Sequence, residues 1–462
     1  MINPMDRTLI LDCNNKVGEK VKICGWVQTR RDHGKIIFLD ILDRSAVIQV
    51  VVTPEQVHLG GVPSTSLGTT VRGDFNLHPQ DVVCIEGKVS DRPEKLINPN
   101  LTTGKIELQA ENIEVLAKAE ELPFDMGGKD LDLQLPTLLD FRSLTLRHPK
   151  IKAIFQVQEC IIDAFREGLK KHEFTEFQSP VIIPQTAEGG AEVFEVKYFD
   201  YKALLAQSPQ FYKQILVGVY ERVFTVNKTL RAEPSVTTRH LTESVTLDGE
   251  MGFIESWKDI MSEVEYIIKY IFQKVAEDCE KQLELFQTSV PKVSDKIPRI
   301  KMRDAQEIIF KRTKVDHRKE PDLSPEDERE ICKWAIEEYG SELIFITHYP
   351  TSKRPFYTMP DPDDPEYTLS FDLIGKGVEW LTGGQRINIL ETLVENAKKR
   401  GIDLKKSELY IQAFKYGMPP EGGWSFGSER ITMGILGLAN IREASLFPRD
   451  MERVDVRLST LK

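Results

Sequence analysis

Two distant segments of the chain each set an arginine beside a carboxylate and tight backbone. The first runs Leu230-Arg-Ala-Glu233 and continues to Arg239-His240; the second is Gly422-Gly-Trp-Ser-Phe-Gly-Ser-Glu-Arg430. A fixed cation, close main-chain approach and acidic groups able to hold a divalent ion are what a bent nucleoside triphosphate with magnesium requires. Taken singly, Arg231 or Arg430 reads as a surface ion pair at a strand end. The common phosphate-binding motifs, G-x-x-x-x-G-K-[ST] and G-x-G-x-x-G, do not occur.

The elements that must carry these segments divide the chain. Residues 1–116 read as all-β, with strand signals at 21–27, 36–42, 46–52, 82–89 and 106–115. Five short strands with a longer excursion between the third and fourth suit an OB-type barrel. Such barrels bind single-stranded nucleic acid by stacking bases on aromatics and tracking phosphates with basic side chains. Phe38, with Arg31 and Gln49 on neighbouring elements, is either a stacking platform or a core residue. The cluster Arg30-Arg31-Asp-His-Gly-Lys35 lies between two strand signals, as a solvated turn or a local basic contact.

Residues 117–149 carry Leu-Pro-Phe-Asp, Met-Gly-Gly-Lys and Leu-Pro-Thr with little periodicity and read as a linker. The second domain, 150–462, opens with an amphipathic helix over 150–171, in which Ile154, Val157, Cys160, Ile161, Ala164 and Leu169 recur at helical spacing. A strand is expected from Phe174 to Ile183, with Pro180 pointing to an edge or an interface. Residues 223–226 and 245–253 read as an antiparallel pair around Arg231, and 259–282 as a helix. Ser324-Pro325 opens another helix, and one over 389–400 stops at Gly401. Strands and helices do not alternate regularly, which predicts an α+β domain rather than a doubly wound nucleotide fold.

At 462 residues, 40% hydrophobic and 29% charged, the chain is large enough for two or three domains. Its net charge of −11 argues against coating nucleic acid through an overall field. No apolar run approaches the roughly 18 residues needed to span a membrane, and Met1 to Val21 lacks a signal peptide's pattern, so a soluble, cytoplasmic protein is expected. Six cysteines are scattered without a C-x-x-C pair; neither a zinc site nor a disulfide framework is expected, only buried thiols.

In order, the helix with Phe174-x-x-Phe177-x-x-Pro180, then Leu230-Arg-Ala-Glu233 with Arg239-His240-Leu-Thr-Glu243, then Gly423-x-x-x-Gly427-x-Glu429-Arg430 resemble the three signature motifs of class II aminoacyl-tRNA synthetases. An OB barrel ahead of them points to the subclass charging Asp, Asn or Lys. Thr186-Ala-Glu188-Gly-Gly-Ala191, Ser208-Pro-Gln210-Phe-Tyr-Lys213-Gln and Ser370-Phe-Asp372 through Gly383-Gly-Gln-Arg386 are similar to the aspartyl-tRNA synthetases. The implied reaction is activation of L-aspartate by ATP and transfer to tRNA(Asp).

The resemblance assigns Arg386 and Lys213 to the substrate's β-carboxylate, with Lys213 separating aspartate from asparagine enzymes. It assigns Glu188, Ser208, Gln210 and Asp248 to the ammonium group, with Glu188 on a mobile, glycine-flanked loop. Arg231 would clamp the α-phosphate, and Arg430 would lie against adenine and the far phosphates. Glu233, Arg239, His240 and Glu379 would complete the ATP site, and Asp372, Glu379 and Thr382 would carry Mg2+. Arg31, His33, Phe38 and Gln49 would read the anticodon.

The sequence departs from the family at several points. Ser244 stands where an aromatic usually stacks on adenine, Ser425 and Ser428 replace Gly and an apolar residue, and Thr382 replaces a serine. Gly25-Trp-Val-Gln-Thr-Arg-Arg-Asp-His-Gly looks bacterial, whereas 231–253 and Phe414 to Pro420 look archaeal. Too few residues separate the second and third motifs for the large extra domain of typical bacterial enzymes. His33 tends to accompany nondiscriminating enzymes, which also charge tRNA(Asn) and supply an amidotransferase. The first-motif elements imply a homodimer. Alternatives are an asparaginyl enzyme, an asparagine-synthesising paralogue, which should lack the barrel, and a silent tRNA-binding relative, which should have lost a charge such as Arg231, Arg386 or Asp372.

Overall fold

The computed structural model describes residues 7–53, 58–60, 76–187, 192–234 and 237–461. Two compact units divide between Asp132 and Leu133. The first holds β1 (Lys20–His33), β2 (Ile36–Leu42), β3 (Val47–Val52), β4 (His58–Gly60), β5 (Val82–Asp91) and β6 (Ile106–Ala117). Strand order β3-β2-β1-β5-β6, with β6 returning in parallel to β3, closes a five-stranded barrel; β4 adds to β6. Period-2 alternation explains the closure: Ile37, Leu39, Ile41, Ile48, Val50 and Val52 all turn into the buried core.

The same alternation corrects two expectations. β1 continues through Arg30-Arg31-Asp-His33, pairing Arg31 with Phe38, so only Gly34-Lys35 forms the turn. Phe38 lies on the face opposite Ile37 and Leu39, outside the core cluster. The cysteine expectation also fails. Cys24 and Cys84 are direct cross-strand partners on β1 and β5 and form a disulfide, a pairing set by strand register and invisible in their 60-residue separation.

The second unit begins with α1 (Leu135–Asp140), α2 (Arg142–Thr145) and the long α3 (Pro149–Lys171). β7 (Thr175–Glu176), β8 (Ile182–Ile183), β9 (Glu195–Tyr198), β10 (Tyr201–Leu205), α4 (Gln210–Tyr220), β11 (Arg222–Leu230) and β12 (Glu243–Gly252) follow. Then come α5 (Trp257–Asp278), α6 (Glu280–Leu285), β13 (Arg299–Lys301), α7 (Met302–Thr313), α8 (Pro325–Tyr339), β14 (Leu343–Thr347), β15 (Ser370–Gly375) and β16 (Val378–Gln385). The last elements are α9 (Leu390–Lys399), α10 (Glu408–Lys415), β17 (Glu421–Gly427) and α11 (Ser428–Leu436). Among the described residues, eight strands form one mainly antiparallel sheet, β13-β14-β15-β16-β17-β12-β11-β7, as expected for α+β.

The strand expected from Phe174 to Ile183 is split. β7 ends after two residues at the sheet edge, and Ile182–Ile183 pairs instead with β10 in a separate three-stranded sheet. Pro180, without an N–H, cannot continue a ladder between them. The helix expected over 259–282 starts earlier, where Ser256 and Asp259 form a capping box, and breaks at Cys279. Ser324 and Asp327 cap α8 in the same way, with Pro325 at its first turn.

Helices α3, α5 and α11 cover one face of the main sheet. Leu247, Leu373, Leu381 and Phe426 are buried there, with Phe165 edge-on to Phe426 and Phe272 edge-on to Trp380. The opposite face is polar and forms the site. Among the described residues no helix is long and apolar enough to cross a membrane.

Candidate active site

Strand register lays polar residues in rows on the open face. Asp372 faces Thr382, Thr382 faces Ser425, and Ser425 faces Asp248 across β15, β16, β17 and β12. The adjacent row on the same face is Ser370, Gly384, Gly423 and Glu250. A Cβ at Gly423 would lie 2.1 Å from Glu250 Oε2, so glycine there makes room for the carboxylate. Over these rows opens a cavity of about 420 Å³.

Its floor is a buried charge cluster. Lys213, from α4, brings Nζ to 3.2 Å from Asp248 Oδ1 and 3.1 Å from Glu250 Oε2, and donates to the Trp424 carbonyl at 3.1 Å. Arg386, just beyond β16, forks onto Glu250, with Nε at 2.7 Å from Oε1 and Nη2 at 3.3 Å from Oε2. Burial pushes the Glu250 carboxyl up, but Arg386 and Lys213 outweigh it and hold it below the usual carboxylate range. Asp248 Oδ2 is buried without a hydrogen-bond partner among the described residues. Gln210 also reaches the cavity wall and gives its amide N–H to Gln214 Oε1 at 3.0 Å; Ser208 lies beside it and accepts from the Gln210 N–H at 3.4 Å. Glu188 lies outside the described residues.

The first arginine segment forms the mouth. Arg231 is half exposed and held by a 3.7 Å approach to Glu233, which His240 Nε2 also approaches at 3.6 Å. Arg239 reaches the wall but donates to Glu328 of α8 and, at 3.0 Å, to the Gly377 carbonyl. Burial pushes Glu328 up to about 7, although Arg239 pulls the other way. Arg430, on α11, donates to the Glu379 carbonyl at 3.0 Å and stands 3.4 Å from its carboxylate. Its neighbour Glu429 accepts from the Val245 N–H and, at 3.0 Å, from the Ser428 hydroxyl. The unusual serine at 428 thus orders the acid beside it. Ser244 shares a 3.1 Å hydrogen bond with Thr229.

Asp372 and Thr382 are spanned by a residue the sequence did not single out. Arg354 donates from Nη1 to the Thr382 hydroxyl at 2.8 Å, brings Nη2 to 2.8 Å from Asp372 Oδ1, and lies over the Tyr349 ring. Burial pushes Asp372 up to about 6; Arg354 lowers it and Glu379 raises it. Among the described residues no three His, Cys, Asp or Glu side chains converge as a metal-binding group. The residues expected from the sequence, Asp372, Glu379 and Thr382, offer two carboxylates and a hydroxyl, hard oxygens of the kind a magnesium ion sharing its shell with water and phosphate takes.

On the barrel unit, Arg31, His33, Phe38 and Gln49 share one outward face. Arg31 Nη2 donates to Asp40 at 2.9 Å and to Gln49 Oε1 at 3.4 Å, Gln49 donates to Glu107 at 3.0 Å, and His33 meets Phe38 edge-on at 5.7 Å.

Comparison with known proteins places this geometry in a family. A model described as tRNA synthetases class II (D, K and N) matches residues 134–451, and an OB-fold nucleic acid binding domain model matches 21–116. The chain belongs to the class II aminoacyl-tRNA synthetases of that subclass. It is 40% identical to the aspartate–tRNA(Asp/Asn) ligase of Aeropyrum pernix, over 96% of this chain and 98% of that one. It is 38% identical to the aspartate–tRNA(Asp) ligase of Pyrococcus abyssi, over 95% and 96%. Its fold matches the asparaginyl-tRNA synthetase of Pyrococcus horikoshii complexed with asparaginyl-adenylate, with a TM-score of 0.84 and 30% identity, covering 98% of this chain and 100% of that one.

Proposed function

We propose that the chain joins L-aspartate to ATP as aspartyl-adenylate and passes the aspartyl group to the 3′ end of tRNA(Asp) and of tRNA(Asn). The observation that carries this reading is the cavity floor. Lys213 and Arg386 stand buried beside one another there, and Asp248 leaves one oxygen open. The substrate's side-chain carboxylate goes to the two cations and its ammonium group to Asp248 Oδ2, with Ser208, Gln210 and Glu188 completing the amine site. An asparagine amide would forgo the charge-assisted hydrogen bonds that the two cations can give a carboxylate, at a cost of a few kcal/mol.

No protein nucleophile is needed. An α-carboxylate oxygen of aspartate attacks the α-phosphorus of ATP and pyrophosphate leaves; a hydroxyl of the terminal ribose then attacks the adenylate carbonyl and AMP leaves. Arg231, loosely held at the mouth, turns onto the α-phosphate and stabilises its developing charge. Arg430, with Glu233, Arg239 and His240, holds adenine and the outer phosphates. Positioning and fixed charge supply the catalysis. Asp372, Glu379 and Thr382 would hold Mg2+, which when bound neutralises phosphate charge; Arg354 must then yield its hold on Asp372 and Thr382.

On the barrel, Phe38 stacks an anticodon base while Arg31, His33 and Gln49 contact its neighbours. A cytoplasmic homodimer built on α3 and the Pro180 segment is part of the same proposal, as is an amidotransferase that takes up the aspartyl-tRNA(Asn). Acylation of tRNA(Asn) transcript tests the dual specificity. Rates within about tenfold of those for tRNA(Asp) are expected, and a deficit of roughly a hundredfold or more would restrict the enzyme to tRNA(Asp).

A further inference from the structure

We propose that Glu421 serves the amino-acid pocket as an uncharged carboxylic acid, a positioning residue that keeps Lys213 and Arg386 available to an anionic side chain. This rests on the aspartate reading above. Glu421 opens β17 and is fully buried. Its backbone carbonyl accepts from the Arg386 N–H at 2.9 Å, and Oε1 accepts from Gln214 Nε2 at 2.8 Å. The Gln214 oxygen is taken by Gln210 at 3.0 Å and by the Tyr410 hydroxyl at 3.1 Å. Oε2 has neither partner nor solvent among the described residues.

The charged and titratable groups facing it are Glu250 from β12, Lys213 from α4, Arg386 beyond β16 and Tyr410 from α10. Both cations engage Glu250, and Lys213 also engages Asp248, while neither forms an ion pair with Glu421 among the described residues. Burial and the nearby Glu250 push Glu421 well above the ordinary glutamate range.

The consequence is selective. Lys213 and Arg386 balance Asp248 and Glu250. Aspartate brings one ammonium and two carboxylates, one negative charge in excess, whereas asparagine brings none. A charged Glu421 beneath the two cations would therefore weaken aspartate and leave asparagine little changed.

The test compares full-length wild type with Glu421→Gln, measuring KM for aspartate by ATP–pyrophosphate exchange from about pH 6 to about pH 9. Above the titration point, KM of the wild type should rise by up to about tenfold per pH unit beyond any rise shared with the variant. The variant should keep kcat near wild type and lack that rise. As a check that needs no variant, calorimetry of the wild type in buffers of different ionisation heat should show proton uptake with aspartate on that limb and none with asparagine. A wild-type KM for aspartate already well above that of the variant at the low end of the range, or loss of aspartate activation in a folded Glu421→Gln, would overturn the proposal; profiles that coincide throughout agree with an acid that stays uncharged over the whole range. Wild type with no aspartate-dependent exchange at any pH would instead overturn the aspartate reading itself.

Discussion

Replacing Lys213 by methionine keeps most of the side chain's volume and removes its charge. Nζ lies 3.2 Å from Asp248 and 3.1 Å from Glu250, with 2% of the side chain exposed. At an effective dielectric of about 20, a unit pair about 3 Å apart is worth about 5 kcal/mol, and breaking a buried pair costs about 3–5 kcal/mol. Aspartate would then face Arg386 alone, with Asp248 and Glu250 newly under-compensated. Transferred to the activation step, that cost lowers kcat/KM for aspartate by about 10²–10⁴-fold. ATP–pyrophosphate exchange at saturating ATP measures it, with ATP affinity as the control for an intact nucleotide site. A folded variant within about threefold of wild type, or one losing ATP affinity as much as aspartate activation, would refute the placement of the β-carboxylate at Lys213.

Two further perturbations test other parts of the molecule. Glu328, with a side chain only 12% exposed, has its carboxyl raised from 4.5 to about 7, so its contribution to stability is fully present below pH 4.5 and is lost as pH rises through 7. Glu328→Gln should remove up to about 3 kcal/mol of pH dependence from the unfolding free energy between pH 4.5 and about 8; urea titrations in which the wild-type and variant profiles run parallel would contradict this. Phe38→Ala should raise KM for tRNA about tenfold and leave aspartate-dependent exchange unchanged, because one stacked base is worth about 1–3 kcal/mol. Equal damage to both steps would show that Phe38 acts on the fold.

Five of the barrel strands and the two arginine segments that line the cavity could be read from the chain because both are written in local order: period-2 alternation for β1, β2, β3, β5 and β6, and arginine beside glycine or carboxylate for the cavity segments. The partners that neutralise those charges are not local. Glu250 lies two residues from Asp248 on β12, so strand periodicity alone places it on the same face, and it could have been found. Arg354 comes from the segment between β14 and β15 and meets Asp372 and Thr382 only through tertiary packing. Glu328 on α8 and Glu421 at the start of β17 likewise gain their character from burial, which sequence spacing does not carry. The Cys24–Cys84 pairing depends on strand register in the same way. The missing N–H of Pro180 marks an obstacle to a sheet interior in the sequence itself, but the change of partner sheet after it follows from where β10 lies.

The most direct measurement is ATP–pyrophosphate exchange by the purified full-length chain with aspartate and asparagine supplied in parallel. The buried pairing of Lys213 and Arg386 predicts exchange with aspartate and a preference over asparagine of at least about a hundredfold. Equal or greater exchange with asparagine, or none with aspartate, would contradict it.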